Sequence, residues 1–165
     1  MAQVATYLNF NRNTEEAFNF YKSVFGTEFM GIMRHSDVPV PEGESGPSEE
    51  DRNLIINIAL PIMDGHVLMG TDAPDSMGFT LNQGNNVHIC LMPESREESD
   101  RLFTALSDGG KVEMPMQDMF WGDRYGQVRD PNGHVWALAT HVRDVSPDEL
   151  LAAVAAMASN APKET

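Results

Sequence analysis

Apolar positions recur along this chain at two spacings, and they do so in the same order twice. Val4-Ala5-Thr6-Tyr7-Leu8-Asn9-Phe10 is rich in strand-forming residues. Asn13-Thr14-Glu15-Glu16 then offers caps and an acidic first turn, and Ala17, Phe18, Tyr21, Val24 and Phe25 follow at helical spacing until Gly26 stops the helix. Glu28 to Met33 reads as the next strand, so the opening is βαβ. The order returns with a strand from Asn86 to Met92 and a helix opened by Ser95-Arg96-Glu97-Glu98 and ended by Gly109-Gly110. A strand from Lys111 to Met116 follows.

The two copies match at an offset of 82 residues, which carries Glu15 to Glu97, Tyr21 to Phe103 and Thr6 to His88. A second match, Asp64-Gly65-His66-Val67-Leu68-Met69-Gly70 against Asn132-Gly133-His134-Val135-Trp136-Ala137-Leu138, has an offset of 68. The first copy is therefore the longer. Its extra residues fall in the stretch from Asp37 to Asp51, rich in Pro, Gly, Ser and Glu, which is expected to be a mobile surface loop. Strands at Leu54 to Leu60 and Tyr125 to Arg129 complete each copy, making both βαβββ. Residues 73–84 would link them.

The expected fold is α+β: two tandem βαβββ modules, at 3–72 and 85–141, forming a cupped mixed sheet within one domain at 1–145. A helical tail occupies 146–165, where Ser146, Pro147 and Glu149 supply an N-cap, a first-turn proline and a capping box. Alanine-rich with a narrow stripe of Leu150, Leu151, Val154 and Met157, that helix is expected to pack on the domain or on a partner subunit, because alone it would be marginal.

A chain of 165 residues with 41% apolar content can bury the core of one domain. With 11 basic against 25 acidic residues, the formal charge of −14 disfavours nucleic-acid binding; it serves solubility or, in a sharper reading, draws a cationic ligand. Nothing in the sequence reads as a signal or membrane segment, so a cytoplasmic location and no membrane partner are expected. The lone cysteine, Cys90, lies in the apolar run 87–91 and is expected to be a buried, inert thiol.

Phe20-Tyr21-Lys22-Ser23-Val24-Phe25-Gly26 and Asp130-Pro131-Asn132-Gly133-His134, in this order of elements, resemble the vicinal oxygen chelate superfamily of glyoxalase I, extradiol dioxygenases and bleomycin-resistance proteins. Tyr7-Leu8-Asn9-Phe10-Asn11, Phe120 to Gly126 and Trp136-Ala137-Leu138-Ala139-Thr140-His141 are similar to its PhnB-like branch, once labelled 3-demethylubiquinone methyltransferase-like. The resemblance implies a homodimer. It also implies a site inside the cup, where metal-dependent members hold an ion with side chains of the first and last strands of each module. Those positions fall here at Thr6, Met69, His88 and Ala137, and only His88 is a good ligand, so no metal and no cofactor are expected.

Trp121, Arg124 and Tyr125 are placed at the rim, as an aromatic wall and an Arg-Asp pair; packing of Trp121 and a structural ion pair of Arg124 are the alternative. His88 is a candidate acid or base, against a satisfied core histidine. His66 and His134 have the same place after turn glycines and read as structural. The expected function is binding of a small molecule without a metal. The alternatives are an enzyme of lyase, isomerase or dioxygenase type using His88 as acid, base or metal ligand, and a scaffold whose cup is filled by its own Met and Phe side chains. A methyltransferase is not expected, since no strand leads into a glycine-rich loop.

Overall fold

The computed structural model describes residues 2 and 4–160. Residue 3 of the first expected module and residues 161–165 of the expected tail lie outside the described residues. The chain forms two compact units that divide between Gly84 and Asn85, at the end of the expected link.

Unit 1 contains β1 (Thr6–Phe10), α1 (Thr14–Phe25), β2 (Gly31–Arg34), β3 (Ile55–Pro61) and β4 (Val67–Asp72). They form a mixed sheet in the order β1-β4-β3-β2, with β1 parallel to β4 and the other pairs antiparallel. Strand alternation decides which residues form the core. Leu8 and Phe10 on β1, Ile58 and Leu60 on β3 and Leu68 on β4 are buried with Ala17, Phe18 and Tyr21 of α1. Phe18 meets Phe10 and Tyr21 edge to face, at 5.9 and 5.6 Å between ring centres. Burial of each such aromatic side chain contributes about 1.5–3 kcal/mol. Gly70 lets the helix approach: a Cβ there would collide with the Phe18 ring.

The start of α1 is held from a distance. The buried Asp72 carboxylate accepts the Thr14 amide at 3.1 Å and the Thr14 hydroxyl at 2.7 Å on Oδ1, and the Ile55 amide at 2.8 Å on Oδ2. The far end stops as expected at Gly26, with φ +65° and its amide bonded to the Lys22 carbonyl at 2.9 Å. The loop after β2 is exposed from Val38 to Glu50 and then tied down at Asp51, which pairs with Arg12 at 2.8 Å.

Unit 2 contains β5 (Ile89–Leu91), α2 (Arg96–Ser107), β6 (Lys111–Asp118), β7 (Asp123–Arg129), β8 (Val135–His141) and α3 (Pro147–Asn160). Its sheet runs β5-β8-β7-β6, the same topology as in unit 1. Leu91, Val128, Trp136 and Leu138 are buried with Ser99, Leu102 and Leu106 of α2. Both expected caps form: Ser95 accepts the Glu98 amide at 3.2 Å, and Ser146 and Glu149 exchange bonds at 2.8 and 3.3 Å.

Two expectations are corrected. The strand expected at 86–92 is reduced to three residues, because its partner β8 begins at Val135, next to the Trp136 that pairs with Ile89, and leaves no ladder for residues 86–87. Cys90 is exposed, not buried, since it projects from an edge strand away from α2. The stripe of α3, expected to pack on the domain or on a partner subunit, is exposed in the single chain: Leu151 is 69% and Met157 54% exposed.

Candidate functional site

Each sheet has one face covered by its helix and one face turned away from it, and the second carries the candidate site. In unit 1, Tyr7 pairs with Met69, Met69 with Ala59 and Ala59 with Gly31, so these four form a row across that face. Asn9 and Thr71 stand opposite each other one step along. In unit 2 the corresponding row is Cys90, Ala137, Gln127 and Met114, followed by Ala139, Tyr125 and Gln117.

Tyr125 and Gln127 are joined, the Gln127 amide donating to the Tyr125 hydroxyl at 2.6 Å. Trp121 stands beside them, edge-on to Tyr125 at 6.0 Å and to Phe120 at 5.0 Å, and its indole N–H donates to Asp123 at 3.1 Å. The other Asp123 oxygen meets His141 Nδ1 at 3.1 Å, and His141 Nε2 meets Asp144 at 3.2 Å. Hydrogen bonds to Asp123 and Asp144 hold the His141 pKa above its usual value of 6.5.

The expected site residues divide between the two faces. Met69, Ala137 and Tyr125 stand on the face away from the helix, with Trp121 beside Tyr125. Thr6 does not: it shares the side of Leu8 and Phe10, and its Oγ1 lies 2.9 Å from His66 Nε2. Met69 pairs with Tyr7, and its repeat mate Ala137 pairs with Cys90, so the counterpart of Cys90 is Tyr7. The sequence match was one residue out of step on this strand, and a one-residue slip turns every side chain to the opposite face.

Arg124 is also on the helix side, forked onto Asp100 of α2 at 2.8 and 3.1 Å and bonded to Asp118 at 3.1 Å. Its role is to fasten α2 to the sheet. His88 is exposed ahead of β5, with no hydrogen-bond partner among the described residues to orient it. The residues missed were Tyr7, Asn9, Cys90 and Gln127. Their signal was the alternation itself, with Tyr7 and Asn9 interleaved between Leu8 and Phe10.

The Asp130-Pro131-Asn132-Gly133-His134 segment builds a turn. Buried Asp130 accepts the amides of Asn132 and His134 at 2.9 and 3.0 Å and the Trp136 indole N–H at 2.8 Å. Burial depresses the His134 pKa, against the pull of Asp130. His66, bonded to Thr6, and His134 are structural in their surroundings.

An open cleft of about 570 Å³ lies in unit 1 at the start of α1, lined by Arg12, Glu15, Asn53 and Asp72 among others. Three of its four charged groups hold the fold: Arg12 is paired with Asp51, Glu15 with Arg34 at 2.6 Å, and Asp72 caps the helix, while Glu16 is exposed.

On the first and last strands of the two units, the side chains turned from the helices include Tyr7, Met69, Cys90 and Ala137. Neither the phenol and thioether of unit 1 nor the thiol and methyl group of unit 2 fits a divalent ion that wants imidazole and carboxylate donors.

The family model described as "Glyoxalase/Bleomycin resistance protein/Dioxygenase superfamily" matches residues 3–138. An uncharacterised protein of Mycobacterium tuberculosis is 30% identical over 141 residues, spanning 84% of this chain and 74% of that protein. A solved protein from Pseudomonas aeruginosa, PA1353, superposes with a TM-score of 0.72 at 27% identity, over 87% of this chain and all of the other (100%). A Bacillus cereus PhnB protein, named as a candidate 3-demethylubiquinone-9 3-methyltransferase, superposes with a TM-score of 0.64 at 26% identity, over 84% and 99% of the two chains. With its two βαβββ units, the chain belongs to the glyoxalase/bleomycin resistance protein/dioxygenase superfamily, and its structural neighbours include a PhnB protein.

Proposed function

We propose that this protein binds a small organic molecule on the sheet faces turned away from α1 and α2, without a resident metal. The observation that carries the reading is the composition of those faces. They gather aromatic, thioether and uncharged polar side chains, Tyr7, Asn9, Met69, Thr71, Tyr125 and Gln127, where a soluble sheet left bare would carry charges. An enzyme built on His88 finds no support in its exposed, unoriented position.

With this reading go one domain over 1–145, a cytoplasmic location and a homodimer. The exposed Leu150, Leu151, Val154 and Met157 stripe of α3 supports the dimer, since a short free helix gains its stability from packing. Among the described residues no helix is long and apolar enough to cross a membrane.

Elemental analysis of untagged protein, followed by calorimetric titration with zinc and manganese, tests metal independence. Substoichiometric metal and no specific binding isotherm are expected, the same for native chain and His88→Ala. One tightly held ion per chain, lost in His88→Ala, would overturn the reading. Light scattering at micromolar concentration should give twice the 18.3 kDa chain mass; a monomer would sink the dimer.

A further inference from the structure

The formal charge of −14 does not extend to the faces turned from the helices. In unit 1 the residues aligned there, Tyr7, Asn9, Gly31, Ala59, Met69 and Thr71, are all uncharged. In unit 2 the two central rows are uncharged too, from Cys90 and Ala137 to Gln127 and Met114, and from Ala139 to Tyr125 and Gln117. Charged groups appear only at the strand ends, already engaged with one another: His141 between Asp123 at 3.1 Å and Asp144 at 3.2 Å, and Glu113 with Arg129 at 3.1 Å and Lys111 at 3.8 Å. An ionic ligand on such a floor would give up hydration with no countercharge to replace it.

The floor also has one directional feature. Because the Gln127 amide nitrogen donates to the Tyr125 oxygen, the hydroxyl proton points onward as a donor, and among the described residues nothing else takes it. The Gln127 carbonyl oxygen is likewise left to accept. Were the Gln127 amide turned over, Tyr125 would donate to it, and the pair would still present one acceptor and one donor. Of the two alanines beside them Ala137 is buried, so the half-buried Ala139 is the small residue that leaves room, and Trp121 closes one side.

Building on the small-molecule reading above, we infer that the unit 2 floor selects an uncharged molecule of carboxamide type. Its carbonyl oxygen and N–H meet the Tyr125 and Gln127 pair, and its apolar part lies over Ala139 and the Trp121 edge. The acidity of the chain then serves solubility and does not select the ligand.

Ligand-observed NMR with matched sets of neutral carboxamides, carboxylates and amines tests this, the smallest trio being benzamide, benzoate and benzylamine. Benzamide-type members are expected to bind at least about tenfold tighter than either ionic counterpart, the cost of desolvating an unpaired charge. Tyr125→Phe should weaken them by about three- to tenfold, as one uncharged hydrogen bond is worth, with an unchanged melting curve. Gln127→Glu should reverse the order in favour of the amine. Ionic members binding as tightly at this pair would overturn the inference and leave small-molecule binding standing. Neutral binding indifferent to Tyr125→Phe would overturn the assignment to the pair. No binding by any member would overturn both readings.

Discussion

Asp72→Ala should be among the most damaging single substitutions in unit 1. The carboxylate is buried, and its two oxygens accept from three donors, the Thr14 amide and hydroxyl and the Ile55 amide, at 2.7–3.1 Å. Loss of a helix cap costs about 1 kcal/mol, and each further buried donor left without an acceptor about 1–3 kcal/mol. The sum is about 3–7 kcal/mol, a large share of the roughly 5–15 kcal/mol that keeps a domain folded. Urea titration followed by far-UV circular dichroism measures it. Trp121 and Trp136 both lie in unit 2, so tryptophan fluorescence followed in parallel shows whether the damage stays in unit 1. Asp72→Asn, which keeps one acceptor oxygen, should recover part of the loss. A shift below about 1 kcal/mol for Asp72→Ala would refute the claim that one carboxylate ties β4, β3 and the start of α1 together.

Three further outcomes are expected. Gly70→Ala should cost about 1–3 kcal/mol in the same titration, because its methyl would collide with Phe18 and press on Thr14; a neutral effect would show that α1 can move away. Cys90 should react with a disulfide reagent in the native protein, at a rate that rises with pH because surrounding protein mass still holds the thiol above its usual pKa; reaction only after unfolding would place it in the core. In an NMR titration His141 should report a pKa above 6.5 and His134 one below it. Stability from His141 is then complete below pH 6.5 and fades as pH rises through its folded pKa, so His141→Gln should flatten that part of the profile. His134 acts below pH 6.5, where the unfolded chain takes up a proton that the folded chain resists; equal pKa values for the two would contradict this.

What could be read in advance was what depends on neighbours in sequence. Gly26, Ser95 and the Ser146–Glu149 box act within one helical turn, and each behaves as its residue type requires. Asp72 could not be read as the cap of α1, because its partners lie 58 and 17 residues away. Thr6 and His88 were misplaced for a different reason. The offset taken from the helices does not hold on the first strands, where one residue separates the faces. Cys90 looked buried because an apolar run on an edge strand with an uncharged face has the composition of a core strand. Arg124 and Tyr125 are adjacent, so only the observed ladder could show that Arg124 serves α2 while Tyr125 serves the open face.

The most direct test of small-molecule binding on these faces is to map a bound carboxamide by amide and methyl chemical-shift changes across the protein. Changes concentrated in unit 2 at Cys90, Trp121, Tyr125, Gln127 and Ala139, with α1 and the Arg12–Asp72 cleft undisturbed, are the predicted result. Changes centred on Arg12, Glu15 and Asn53 instead would place the site at the start of α1 and contradict it.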